Sequence, residues 1–392
     1  MDERALAERL ITYDTSTLEG MQSAAGFVKG WLEARDVEVT GTTYNGRPVL
    51  AATVGAPDGL TVVLHGHLDV VPGRPEQFTP RVEGDRLYGR GAYDMKGGLA
   101  GMICAVRDLA AQREVRVHFV CVSDEESEEI EERGSDFLVE QGYVGEFAIT
   151  GEPTDLHIGV EAKGVLAMRI EVTGTSAHGS TPWAGDNAVL KAVDVFRTIE
   201  SMAFARESSD LFDRPSINLG RIFGGDALNK VPDTCAIDVD IRYLPGQDAK
   251  AILEQVRALP DANVTKVFHR HPAIVDRDNA YVVALGEAVA RVATVGDRIS
   301  VGRHGASDAI SFLEAGVPAV EFGPLGGGHH GPGEWVSIGS LAQFRRAVVD
   351  FVRLLPERVG SRGAGARGAD SQKASTPSAG SPSAGDGRPL IA

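Results

Sequence analysis

The stretch Leu60-Thr-Val-Val-Leu-His-Gly-His67 constrains this chain more than any other. It is apolar without alternation until its histidines, and a strand with no polar face has to be covered on both sides. A sheet sandwiched between helices offers that cover, so the reading is an α/β fold with mostly parallel strands. Val115–Val122 repeats the pattern, and Glu146-Phe-Ala-Ile-Thr150 is a shorter third strand. Leu6, Leu10, Phe27, Trp31 and Leu32 recur at helical spacing, which predicts helix through 3–35, and a further helix over 97–112 follows a Gly-Gly pair.

The texture changes near residue 164. Strand 165–173, helix 186–204, strands 216–222 and 234–243, helix 248–258 and strand 263–268 follow in order. That order is the split βαβ, or ferredoxin-like, unit. From about 275 the earlier alternation returns, with helices over 279–294 and 307–315, a strand over 317–322 and a last helix over 339–355. A chain of 392 residues exceeds one ordinary hydrophobic core. The expectation is therefore a discontinuous domain, 1–163 and 275–357, carrying an inserted domain, 164–274. Residues 358–392 are Gly, Ser, Ala and Pro with few large apolar groups and are expected to be a disordered tail.

Polar chemistry gathers where strands end, the place where open α/β sheets bind ligands. His67 and Asp69 close the first strand; Asp94 lies in the glycine-rich segment 89–98; Asp124, Glu125 and Glu126 follow the second strand, and Glu152 the third. His329, His330 and Glu334 sit in a late glycine-rich loop. Each has an ordinary reading alone: a satisfied structural histidine, an aspartate capping a helix, a solvated acidic turn, a plain loop. Taken together, two imidazoles and three carboxylates suit two zinc ions sharing one carboxylate.

Composition narrows the partners. A net charge of −16 lacks the basic face that nucleic acid requires. No apolar run is long enough to span a bilayer, and Met1-Asp2-Glu3-Arg4 does not open a signal peptide. Cys104, Cys121 and Cys235 are odd in number and widely spaced, so buried thiols in a reducing, cytoplasmic setting are expected. A dinucleotide-binding reading fails for want of a strand–G-x-G-x-x-G–helix unit at the start.

Six segments carry a specific likeness: HGHLDVVP (65–72), GRGAYDMKGG (89–98), SDEE (123–126), GEPT (151–154), SAHGS (176–180) and NKVPD (229–233). With them the chain, over roughly 5–355, resembles the M20 metallopeptidases, the group of acetylornithine deacetylase, succinyl-diaminopimelate desuccinylase and glutamate carboxypeptidase. The resemblance implies a zinc-exopeptidase-type catalytic domain with an inserted dimerisation, or lid, domain. It implies that His67 and Glu152 hold one zinc, Glu126 and His330 the other, and that Asp94 bridges them, with cobalt able to substitute. Asp69 would orient His67, Glu125 would be the general base, and the Asp94–Met95 peptide would be cis. His178 would reach across a homodimer interface to the oxyanion, beside Asn229, and Arg242 would clamp a substrate carboxylate; a surface salt bridge is the ordinary reading of that arginine.

Two departures from the family pattern stand out. Ser127–Arg133 is longer and more acidic than the short glycine-rich turn often found in the family, and the late histidine is doubled. The resemblance, through the family's spacing of four residues to a glutamate, implies His330 over His329. Ser307 and Asp308 line the pocket or cap a helix, and His65, His118, His157, His269, His271 and His304 receive no role. The implied activity is zinc-dependent hydrolysis of an amide bond in a small N-acyl amino acid. A dipeptidase or carboxypeptidase is the neighbouring alternative, and a non-catalytic metal-binding scaffold is an alternative of another class.

Overall fold

The computed structural model describes residues 2–127, 133–296, 298–299, 301–305 and 307–360. The acidic run 128–132 and most of the expected tail, 361–392, lie outside the described residues.

Helices α1 (Glu3–Ile11) and α2 (Leu18–Glu33) replace the single helical stretch expected over 3–35. The break falls at Thr12–Thr17, where side chains prefer caps to helix interiors. Thr17 accepts a hydrogen bond from the Gly20 amide and starts α2. Gly20 itself is required, because a Cβ there would lie 1.7 Å from the Asp14 carbonyl oxygen.

The principal sheet contains β1 (Val39–Tyr44), β2 (Arg47–Gly55) and β3 (Leu60–His67). A hairpin, β4 (Arg81–Glu83) and β5 (Arg86–Tyr88), leads to α3 (Lys96–Leu109), β6 (Val115–Val122), α4 (Gly134–Glu140), β7 (Phe147–Thr150) and β8 (Gly159–Ala162). Then come β9 (Gly164–Thr173), α5 (Ala188–Ser201), β10 (Ser216–Gly224), β11 (Thr234–Tyr243), α6 (Ala249–Arg257) and β12 (Asn263–Arg270). The chain closes with β13 (Ala273–Ile274), α7 (Ala280–Val292), β14 (Val301–Arg303), α8 (Ala309–Glu314), β15 (Ala319–Glu321), β16 (Gly326–Gly327), β17 (Trp335–Ser337) and α9 (Ile338–Arg358).

The large sheet runs β1-β2-β6-β3-β7-β15-β8-β13, with β14 also on β8. Its centre, β6-β3-β7-β15, is parallel, and the other pairings are antiparallel apart from the parallel β14 on β8. Val62, Val63 and Leu64 of β3 are fully buried, as a strand covered on both faces requires. Val62 and Leu64 face a core shared with α1, α2, α3, α7 and α9, while Val63 faces a smaller one under α4 and α8. The fold is therefore the mixed α/β sheet that the apolar strands demanded. β8 went unforeseen because Gly-Val-Glu-Ala has neither alternation nor an apolar run.

Residues 164–270 build a second, four-stranded antiparallel sheet, β10-β11-β9-β12. Its order and its two helices match the ferredoxin-like unit. Leu166, Met168, Ile170 and Val172 alternate inward along β9 against Ile237, Val239 and Ile241 of β11 and against α5. This core is separate from the other two. The chain passes from β8 to β9 at Gly164, where a Cβ would meet the Tyr243 ring at 2.2 Å. A third small sheet, β16-β17-β5-β4, brings the late glycine-rich loop beside the segment before α3.

Candidate metal centre

β3, β6 and β7 run parallel, so their carboxyl ends open on one edge. His67 at the end of β3 is fully buried. Its Nδ1 lies 3.0 Å from the Asp69 carbonyl and 3.5 Å from the Asp69 carboxylate. That contact leaves Nε2 to face Asp94 Oδ1 at 3.2 Å and Glu152 Oε1 at 3.6 Å. On the other side, His330 Nε2 lies 3.4 Å from Asp94 Oδ2 and 3.2 Å from Glu126 Oε1.

These spacings test whether metal ions fit. Zinc bonds of 2.0–2.2 Å at a tetrahedral angle put neighbouring donor atoms roughly 3.3–3.5 Å apart. The four distances above scatter around that figure. The two oxygens of Asp94 face two different donor sets, as a bridging carboxylate does. Glu152 Oε1 is buried and accepts no hydrogen bond among the described residues, so its lone pairs are available to an ion held between it and His67. His67, Asp94 and Glu152 form one candidate metal-holding group, and Asp94, His329 and His330 another. Glu125 and Glu126 also approach His67 closely enough to share an ion.

His329 differs from His330. Its Nε2 lies 2.5 Å from Asp94 Oδ2, closer than the donor spacing around one zinc ion and shorter than an ordinary hydrogen bond between these groups. The doubled histidines thus meet the same Asp94 oxygen at different distances, 2.5 Å for His329 and 3.4 Å for His330.

Electrostatics follow from enclosure and pairing. Burial opposes charge on His67, but hydrogen bonds that it donates to Asp69 and Asp94 and the charge of Glu152 raise its pKa well above 6.5. Burial likewise works against ionised Asp94, yet three imidazoles hold its pKa well below the usual carboxylate range. Burial and the neighbouring Asp94 push Glu152 well above it. Burial pushes Glu125 up to about 8, and its side chain keeps 20% exposure. Four carboxylates, Asp94, Glu125, Glu126 and Glu152, thus crowd around the imidazoles, and divalent cations would let all four ionise together.

Supporting residues that the motifs did not reveal hold the loops in place. Glu334 accepts hydrogen bonds from the amides of Gly91, Tyr93 and Asp94 at 3.0, 3.0 and 3.1 Å. Arg90 donates to Glu334 at 2.7 Å and to the His330 carbonyl at 3.0 Å. One buried ion pair thus ties the Asp94 segment to the His330 turn, and the Asp94–Met95 peptide is cis. Behind Glu152, Arg303 donates to the Pro153 carbonyl and pairs with buried Glu321. The signal available in sequence was a charged residue inside each glycine-rich segment.

The remaining expected residues lie apart. His178 is exposed, with Nδ1 2.8 Å from Ser180 Oγ. Its loop pairs with that of Asn229 through Gly179 N–H to the Asn229 carbonyl at 2.7 Å. No hydrogen bond or ion pair joins either residue to the metal-holding groups among the described residues. Arg242 pairs with Asp240 at 3.0 Å, two residues away on the same face of β11, which is the salt-bridge reading of that arginine. His118 meets Thr53 at 2.8 Å, and His65 meets Ser135 at 2.9 Å.

Against known proteins, residues 63–354 match the pattern of peptidase family M20/M25/M40. This chain belongs to that family. The M20 assignment makes it a metal-dependent hydrolase. It is 33% identical to acetylornithine deacetylase of Photorhabdus laumondii over 264 residues, covering 62% of this chain and 66% of that protein. That match spans just under two thirds of the relative's own length. It is 31% identical to succinyl-diaminopimelate desuccinylase of Gluconobacter oxydans over 311 residues, 73% of this chain and 79% of that protein. A solved tripeptidase from Staphylococcus aureus shares the fold, with a TM-score of 0.75 at 21% identity over 91% of this chain and 98% of that one.

Proposed function

We propose that this M20 chain is a di-zinc deacylase that removes the acyl group from a small N-acyl amino acid. The observation that carries the reading is Asp94, whose two oxygens face His67 with Glu152 on one side and His330 with Glu126 on the other. His67, Glu152 and Asp94 would hold one ion, and Asp94, Glu126 and His330 the second. When bound, such a pair lowers the pKa of a water and polarises the amide carbonyl. Asp69 keeps His67 turned with Nε2 inward, and the tautomer follows from that contact.

Glu125 is the proton carrier. It takes a proton from the attacking water and returns it to the nitrogen as the C–N bond breaks. Glu125 follows the strand end beside Glu126 and keeps partial exposure, so it can reach a water without serving as a ligand. His178, with Asn229 beside it, would donate to the developing oxyanion of the partner subunit's site. Residues 164–274 would be the dimerisation and lid domain. Its edge strand β10 exposes Ile222 and Phe223, and Trp183 nearby in the same domain is 81% exposed, apolar surface that a second copy would cover. Arg242, freed from Asp240, would meet a substrate carboxylate.

The likeness to the two deacylases supports an acyl-amino-acid substrate over a peptide. Among the described residues no helix is long and apolar enough to cross a membrane. The three cysteines are free and buried, which supports a cytoplasmic enzyme. The deciding experiment is hydrolysis of N-acetylornithine, N-succinyl-diaminopimelate and a dipeptide panel, with zinc and with cobalt. Faster turnover of dipeptides than of both acyl amino acids would replace the deacylase reading with a peptidase.

A further inference from the structure

A buried charged chain lies behind the metal-holding residues and takes no part in ligation. Arg133 donates from Nη1 to the Glu125 carbonyl at 2.6 Å and lies 3.7 Å from the Glu125 carboxylate. The same nitrogen reaches Asp308 Oδ1 at 3.3 Å. Asp308 Oδ2 accepts from Ser135 Oγ at 2.8 Å, and His65 Nε2 lies 2.9 Å from that hydroxyl. Arg133, Asp308, Ser135 and His65 are all buried. On the opposite side, the Glu126 amide donates to Asp69 Oδ2 at 2.9 Å. The single peptide unit between Glu125 and Glu126 is therefore held at both ends, its carbonyl by Arg133 and its N–H by Asp69.

That unit decides which way two adjacent glutamates leave the backbone. One must reach a metal ion and the other must not. Rotating the plane would redirect both carboxylates together, and a misplacement of about 1 Å can cost roughly a hundredfold in rate. A buried ion pair stabilises a fold little compared with apolar filling, so placement is the better account of this one.

We propose that Arg133, braced by Asp308, is a positioning residue that keeps Glu125 off the metal ions and aimed at the reacting water. The inference rests on Glu125 being the base, so Glu125→Gln is measured beside Arg133→Met, Arg133→Lys and the double variant. Metal content, melting temperature, kcat and KM are determined for each holoenzyme on the faster of N-acetylornithine and N-succinyl-diaminopimelate.

The expected result for Arg133→Met is a fall in kcat of about 100-fold, KM within about threefold and unchanged metal content. Arg133→Lys, whose one nitrogen could stand in for Nη1 between the carbonyl and Asp308, should lose less. In the Glu125→Gln background the arginine change should cost no more than about threefold further, because the two act as one unit. Guanidinium ion added to Arg133→Ala should restore part of kcat.

A folded Arg133→Met with kcat within threefold of wild type overturns the proposal, as do metal loss or an effect confined to KM. If Arg133→Met does not fold, a kcat in folded Arg133→Ala that guanidinium ion leaves unchanged overturns it equally. An active Glu125→Gln would remove the base assignment itself, a different failure from an inactive Glu125→Gln beside a normal Arg133→Met.

Discussion

At the scale of single residues, donor spacing and hydrogen-bond spacing separate neighbours of the same type. His330 sits at 3.4 Å from Asp94 and 3.2 Å from Glu126, whereas His329 sits at 2.5 Å from Asp94 alone. Elemental analysis should therefore find about one metal fewer per chain in His330→Ala, while His329→Ala keeps both and binds the second more weakly. The reverse pattern would exchange their roles. Glu125→Gln, shape-conserving but unable to accept the proton, should retain metal and lose about a thousandfold or more in kcat. Equal metal loss in Glu125→Gln and Glu126→Ala would show that the two glutamates do not divide base from ligand.

Between elements, the centre depends on loops clamped from afar. Glu334, in the turn before β17, caps three amides leading to α3 and pairs with Arg90, whose side chain is 4% exposed. Removing it strands a buried guanidinium and three amides, so Glu334→Ala should cost about 3–5 kcal/mol, read from the denaturant midpoint at constant slope. Metal affinity should fall with it, since the same contacts hold Asp94 and His330. The β3 strand shows what was readable beforehand. Its apolar run announced burial on both faces, and its histidines marked the end that opens toward ligand. The α1–α2 break and β8 were not readable, because a helix interrupted by capping residues and a four-residue strand leave no period in the sequence.

For the whole molecule, the proposal that His178 acts across a dimer makes a quantitative prediction. Two inactive variants, Glu125→Gln and His178→Ala, are mixed and allowed to exchange subunits. In a hybrid, the His178→Ala chain keeps its own Glu125 and would borrow His178 from its partner. Random mixing makes half the dimers hybrid with one working site each, about a quarter of wild-type activity. Activity that stays at the sum of the two variants, after exchange is verified with a tag, would mean that His178 serves its own chain. Metal removal should also be felt globally. An ion at about a thousandfold its Kd stabilises the native state by about 4 kcal/mol, so chelation should lower the melting temperature measurably.

What the sequence determined by itself was the material of the fold and the site. Runs of apolar residues, alternation along β9 and β11, and the residue types at strand ends are local properties, and local periodicity is enough to place them on elements. It also supplied the five candidate ligands, because each stands within a few residues of a strand end or a glycine turn. Only the tertiary structure decided how they meet. Arg90 and Glu334 are 244 positions apart, and Ser135 and Asp308 are 173 apart. No window along the chain contains both partners, so neither clamp could be read from it. The same holds for Asp94, whose carboxylate is divided between His67 and His330 only when β3, the segment before α3 and the turn before β17 pack around one point. Distance in space, set by packing between remote elements, decides which of these groups meet, and residue type alone does not.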